Sequence, residues 1–101
     1  PLASVLRVVR APVETYLKSC AHLEGAVVIV DPPRTGLSRD VVARLVRRRP
    51  GRIVYVSCDV ATQARDLRAF GESGYQIDHV QAFDMYPNTA HIETVVSLNR
   101  T

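Results

Sequence analysis

The sequence predicts an α/β fold built on a largely parallel sheet, and three observations predict it. Ala26-Val27-Val28-Ile29-Val30 and Ile53-Val54-Tyr55-Val56 are continuous apolar runs rich in β-branched residues, the mark of strands covered on both faces. Residues 38–49 and 61–72 have the spacing of amphipathic helices. Proline or glycine punctuates the junctions at Gly25, Pro32-Pro33, Pro50-Gly51 and Gly74. Strand and helix alternate, which implies a parallel sheet with helices on both faces.

Each element follows in order. Val5 to Val9 is a short β-leaning run and reads as a strand. Pro12 opens a helix at its first turn, where a missing N–H costs nothing, and Val13, Tyr16 and Leu17 form its apolar stripe. The run Ala26 to Val30 is the next strand. It stops at Asp31-Pro32-Pro33-Arg34, because proline cannot continue a central strand. Ser38 is the N-cap of a second helix, with Asp40 in the first turn and Val41, Val42, Leu45 and Val46 as its buried face. Arg47 to Pro50 and Gly51 end it. Strand Ile53 to Ser57 follows, then helix Ala61 to Glu72 with Gly74 as its stop. Tyr75 to Phe83 alternates like a strand, Asp84 to Ala90 is a loop around Pro87, and His91 to Leu98 is the final strand. The order is βαβαβαββ. A parallel pair needs a crossover of a dozen or more residues, so the last strand is expected to run antiparallel to its predecessor.

Composition narrows the class. The 101 residues suffice for one domain, and 47% hydrophobic content supports a core and argues against disorder. No apolar run approaches the roughly 20 residues of a membrane span, so no membrane partner is expected. The N-terminus lacks a signal-peptide pattern, which points to a cytoplasmic protein. Two cysteines, Cys20 and Cys58, are too few for a disulfide framework. A net charge of +3 and a pI near 9.3 are compatible with a nucleic-acid partner.

Chemistry concentrates on one side of the predicted sheet. Cys58 stands between the strand 53–57 and the helix from Ala61, at the carboxyl edge where open α/β sheets bind ligands. A helix N-terminus nearby favours a thiolate nucleophile, whereas a lone cysteine of this size is more often buried packing. Asp31-Pro32-Pro33-Arg34 lies at the same edge and presents a carboxylate and a guanidinium on a stiff loop; its bland alternative is a rigid turn with a solvated ion pair. His91 and Glu93 share a face of the final strand. That strand is antiparallel, so its start also lies at this edge. A thiol and a carboxylate base together make a plausible active site. No metal site is expected, since His22 and His79 have no ligand spacing with His91. Arg44, Arg47, Arg48, Arg49 and Arg52 resemble an RNA patch but fall at the opposite edge, where cations complement a helix C-terminus. Cys20 ends a helix on that far edge and is read as structural.

These motifs are recognisable. The chain resembles the C-terminal half of the catalytic domain of the RNA 5-methyluridine methyltransferases, the S-adenosylmethionine-dependent uracil-C5 enzymes of tRNA and rRNA. The resemblance rests on Asp31-Pro32-Pro33-Arg34-Thr35-Gly36-Leu37. It also rests on Val56-Ser57-Cys58 with Ala61-Thr62 and Ala64-Arg65-Asp66-Leu67, and on Asp84-Met85-Tyr86-Pro87 with Thr89, His91 and Glu93. It implies the C-terminal portion of a Rossmann-like class I methyltransferase fold spanning residues 1–101, with parallel strands and a final antiparallel one. It implies that Cys58 adds to uracil C6, that Glu93 removes the C5 proton, and that Asp31 contacts the cofactor S-adenosyl-L-methionine. Arg34 and His91 are implied to bind the RNA substrate.

The sequence departs from the family at Asp59-Val60, where Asn-Pro is usual, and a carboxylate there would raise the thiol pKa by like-charge repulsion. Tyr86 and Asn88 replace common Phe and Gln. The family's Gly-rich cofactor loop and N-terminal RNA-binding β-barrel have no counterpart in these residues. The chain is therefore expected to be a fragment, inactive in isolation, whose strand Val27 to Val30 is an exposed edge open to self-association. Two other classes compete on residues alone: a cysteine hydrolase using Cys58 with His91 and Asp31 or Asp84, and a non-catalytic binding module.

Overall fold

The computed structural model describes residues 9–84 and 92–101. The elements are α1 (Val13–Ser19), β1 (Val27–Val30), α2 (Arg39–Arg48), β2 (Arg52–Ser57), α3 (Val60–Glu72), β3 (Tyr75–Asp84) and β4 (Ile92–Arg100). The strand expected over Val5 to Val9 lies outside the described residues apart from Val9, which is exposed. Residues 85–91, His91 among them, also lie outside.

The sheet order is β1-β2-β4-β3. β1 and β2 are parallel, with Val30 paired to Tyr55. β4 runs antiparallel to both of its neighbours, with Ser57 opposite Thr94 on one side and Phe83 opposite Glu93 on the other. The antiparallel direction is as the short connection requires. What the element order does not reveal is that β4 inserts between β2 and β3, leaving β3 on the outer edge. Its register shifts between Ile77 and His79, so Asp78 forms a bulge in that edge.

The expected two-sided helix cover requires correction. Both crossovers, β1-α2-β2 and β2-α3-β3, step across the sheet in the same direction. Right-handed connections of that kind lay their helices on one face. α2 packs against α3 accordingly, and α1 against α2. Strand burial follows: Ile53, Tyr55 and Ser57 of β2 are buried beneath the helices, whereas Val54 and Val56 between them are only half-buried. On β1, Val27 is 59% and Ile29 70% exposed. Among the described residues, no helix covers that second face.

The core lies between the sheet and the helix layer. Ile53, Tyr55, Phe70 and Leu98 are fully buried, joined by Leu17, Leu45, Val96 and Tyr75. Burying one such large side chain contributes about 1.5–3 kcal/mol. Phe70 and Tyr75 meet edge to face at 6.0 Å between ring centres. The Tyr75 hydroxyl donates to the Pro50 carbonyl at 2.6 Å, so the polar end of a buried ring is satisfied.

The helix ends follow local chemistry. The Ser38 hydroxyl accepts from Val41 N at 3.1 Å and caps α2. α2 ends at Arg49, which adopts the left-handed conformation with φ of 59°. The arginines beyond Asp40 divide into separate duties. Arg44 pairs with Asp40 at 2.8 Å, and Arg52 reaches Asp78 at 2.9 Å. Arg48 donates to the Leu17 and Lys18 carbonyls at 2.7 and 2.9 Å, tying the end of α1 to the end of α2. Cys20 follows α1 at that same end, half-buried.

Candidate active site

The site is assembled where β1, β2 and β4 reach one edge of the sheet. The β2–β4 ladder ends with Ser57 opposite Thr94. Cys58 and Glu93 are the opposed positions one step beyond that last pair, one leaving β2 and one entering the ladder on β4. Opposed positions in such a ladder have Cβ atoms about 5 Å apart. Glu93 is half-buried and stays paired to β3, opposite Phe83. Cys58 is exposed, which removes the reading of a buried packing thiol. Asp31 follows Val30 at the matching end of β1, and Asp31 and Arg34 are both exposed. The strand directions thus bring Asp31, Arg34, Cys58 and Glu93 to one rim. His91 lies outside the described residues.

The turn that carries Cys58 is held from both sides. The buried Ser57 hydroxyl donates to Asp59 O at 3.0 Å and accepts from Asp59 N at 2.9 Å, closing a loop around the cysteine. Asp59 caps α3: its carboxylate accepts from Thr62 N at 3.0 Å. That backbone hydrogen bond is the main reason the Asp59 carboxyl is held below its ordinary value, with the positive charge of Arg34 adding a smaller effect. Asp59 therefore serves as a helix cap, a duty asparagine also performs. Beneath the turn, the buried Gln63 amide donates to Tyr55 O at 3.2 Å and Thr94 O at 3.0 Å. It bridges β2 and β4 beside the rung where the thiol and the carboxylate emerge.

Helix α3 also holds the Asp31–Leu37 loop. Thr62 Oγ1 donates to Arg34 O at 2.8 Å, Arg65 Nη2 to Thr35 O at 2.9 Å, and Leu37 N donates to Asp66 Oδ2 at 2.8 Å. The loop closes on itself where Gly36 N donates to Pro33 O at 2.8 Å. Gly36 has φ of +77°, and a Cβ there would stand 2.6 Å from Asp66 Oδ2 and 2.7 Å from Arg65 Nη2. Sequence reasoning singled out Cys58, Glu93, Asp31 and Arg34 but gave no duty to Ser57, Gln63 or Asp66. A signal was present: Gln63 and Asp66 occupy the i and i+3 positions of the stripe that Leu67 and Phe70 complete, where an apolar residue is the ordinary choice.

The edge supplies an exposed thiol, a half-buried carboxylate, and a second carboxylate and a guanidinium on a clamped loop. It suits nucleophilic addition followed by proton removal from the same substrate. Asp31 lines an open, mainly apolar groove between α1, β1 and α2, together with Pro32, Pro33 and Leu37. An exposed carboxylate lining such a groove fits one contact to a cationic, hydroxyl-bearing cofactor. The described residues contain no cluster of three or more His, Cys, Asp or Glu suited to a metal ion. None of the described helices is long and apolar enough to cross a membrane.

Comparison with known proteins gives this arrangement a context. A protein of Thermotoga maritima described as an uncharacterized RNA methyltransferase is 51% identical over 71 residues, which are 70% of this chain and 16% of that protein. A counterpart from Lactobacillus johnsonii is 46% identical over 79 residues, 78% of this chain and 18% of that one. The crystal structure of Pyrococcus abyssi tRNA (uracil-54, C5)-methyltransferase, in complex with S-adenosyl-L-homocysteine, superposes with a TM-score of 0.70 at 44% identity. It covers 87% of this chain, which spans 21% of that enzyme. The family profile described as tRNA (Uracil-5-)-methyltransferase matches residues 15–101. With the match covering all but the first 14 residues, the chain belongs to the tRNA (uracil-5-)-methyltransferase family.

Proposed function

We propose that this chain is the C-terminal part of the catalytic domain of a cytoplasmic RNA uracil-C5 methyltransferase, the closing portion of a Rossmann-like class I fold. Its reaction is methyl transfer to C5 of a uridine in tRNA or rRNA. The observation that carries the reading is that Cys58 and Glu93 are the opposed positions one step beyond the last β2–β4 pair, at the edge that also bears Asp31 and Arg34. Uracil C5 is a poor nucleophile until C6 is attacked. The Cys58 thiolate adds to C6, and the electron pair of the C5–C6 double bond moves toward C5 and the O4 carbonyl. S-adenosyl-L-methionine, when bound, would supply the methyl group that C5 takes up, its sulfonium S–CH3 bond breaking to leave a neutral thioether. Glu93 then removes the C5 proton, the double bond re-forms, and the thiolate leaves. Asp31 contacts cofactor and pyrimidine, and Arg34, with His91, holds the RNA. The isolated 101 residues are inactive, because the Gly-rich cofactor loop of the family is not among them.

Two substitutions in the longer enzyme test the roles. Cys58→Ala abolishes both methylation and any covalent RNA adduct. Glu93→Gln keeps shape but removes the base, so it adds to uracil, accepts the methyl group and stalls with methylated RNA attached. A denaturing gel with labelled RNA reads a shifted band for Glu93→Gln and none for Cys58→Ala. An adduct in Cys58→Ala overturns the nucleophile, and full turnover by Glu93→Gln overturns the base. Unchanged activity in both variants favours a non-catalytic module.

A further inference from the structure

We propose that Asp66 is a positioning residue that sets the Asp31–Leu37 loop against the turn carrying Cys58. The proposal rests on the methyltransferase reading above. Asp66 is 2% exposed, yet its carboxylate bonds two other parts of the fold as well as its own neighbour on α3. Oδ2 accepts from Leu37 N at 2.8 Å and from the buried Tyr55 hydroxyl at 2.5 Å. Oδ1 accepts from Arg65 Nη2 at 3.0 Å. That same Nη2 continues to Thr35 O at 2.9 Å, so one ion pair joins the carboxylate to a second point on the loop.

The geometry joins this carboxylate to the elements that carry the reacting groups rather than to the groups themselves. Tyr55 lies three residues before Cys58 on β2, Leu37 three residues after Arg34, and Asp66 within the helix that Asp59 begins. Its three bonds therefore tie the nucleophile's strand, the nucleophile's helix and the substrate loop to a single buried point. A buried carboxylate is costly to desolvate, and a core helix position of this kind is filled more cheaply by leucine. Burial and the hydrogen bond to Asp66 push the Tyr55 phenol well above its ordinary value, so it remains a donor throughout the working pH range. Gly36 belongs to the same arrangement: only a residue without Cβ lets the loop approach Asp66 this closely.

The test compares Asp66→Asn, Asp66→Ala and Tyr55→Phe in the longer enzyme, assayed well below their melting temperatures. The positioning role predicts that Asp66→Ala lowers kcat/KM for RNA roughly tenfold or more. KM rises as the Arg34 loop shifts, and the adduct with 5-fluorouridine RNA forms more slowly. Alkylation of Cys58 by iodoacetamide continues at the wild-type rate, because the thiol itself is untouched. Asp66→Asn, which still accepts from Leu37 N, recovers part of the loss, and Tyr55→Phe shows a smaller defect of the same kind. Hydrogen exchange at the Leu37 amide accelerates in Asp66→Ala even where activity is not measured. Variants with lowered melting temperature but wild-type kcat, KM and Leu37 exchange overturn the proposal. A wild-type enzyme that methylates no RNA overturns the underlying reading instead, while accelerated Leu37 exchange would still support the loop contact.

Discussion

Gly36 and Asp66 show how little room the site leaves at the scale of single residues. The backbone at Gly36 is left-handed, and the space where a methyl group would go is occupied by the Asp66 carboxylate and the Arg65 guanidinium. Gly36→Ala is expected to destabilise the chain by about 1–3 kcal/mol through backbone strain and the displaced carboxylate together. Denaturant unfolding of the two forms checks this, with Gly25→Ala as the reference. Gly25 is also left-handed at φ +81° but has open space around its Cβ position, so it reports the backbone cost alone. A larger loss at Gly36 than at Gly25 isolates the clash. Neither effect was legible from sequence. Gly36 stood within a recognised motif, but the reason for a glycine there lies 30 residues away in α3. Asp66 stands on the buried stripe of α3, but the sequence does not show that its partners are Leu37 and Tyr55.

At the scale of elements, α3 depends on its cap. The Asp59 carboxyl sits below its ordinary value of 3.8 chiefly because Thr62 N donates to it, so the folded chain favours its charged form. The stabilisation is complete above pH 3.8 and is lost as pH falls below that value through the folded pKa. Asp59→Ala is expected to lower the melting temperature at neutral pH, with the gap to wild type narrowing below pH 3.8. Asp59→Asn is expected to stay close to wild type at neutral pH, since it keeps the acceptor. Thermal melts from pH 7 to pH 2.5 check both. Strand and helix positions were legible because each relied on local signals: the apolar run 26–30, the Ser38 cap, and Pro50-Gly51 after α2. Strand order was not. The insertion of β4 between β2 and β3 is a matter of non-local pairing, and the one-sided helix layer follows from the direction in which both crossovers step.

At the scale of the whole molecule, the sheet formed by the described residues has a free edge at β1 and an uncovered face. Val27 and Ile29 are the most exposed apolar residues there, and an apolar edge of this kind is a template for another strand. The 101-residue chain is therefore expected to self-associate in a concentration-dependent way. Ile29→Lys, at a position already 70% exposed, is expected to shift it toward monomer without loss of fold. Sedimentation velocity over a concentration series, with circular dichroism as the folding control, checks this. Monomeric wild type at every concentration would end the idea. The arrangement of the sheet also has a consequence for how the chain is made. β3 is synthesised before β4, yet among the described residues its only neighbour in the sheet is β4. On the ribosome, where chains emerge at about 5–20 residues per second, β1 and β2 can pair early while β3 waits for a partner. β4, which emerges after β3, joins β3 to β2 and, in the same step, brings Glu93 beside Cys58. A nascent chain halted before β4 carries Cys58, the proposed nucleophile, but not Glu93, the proposed base, so pairing of β3 and assembly of that proposed pair arrive together.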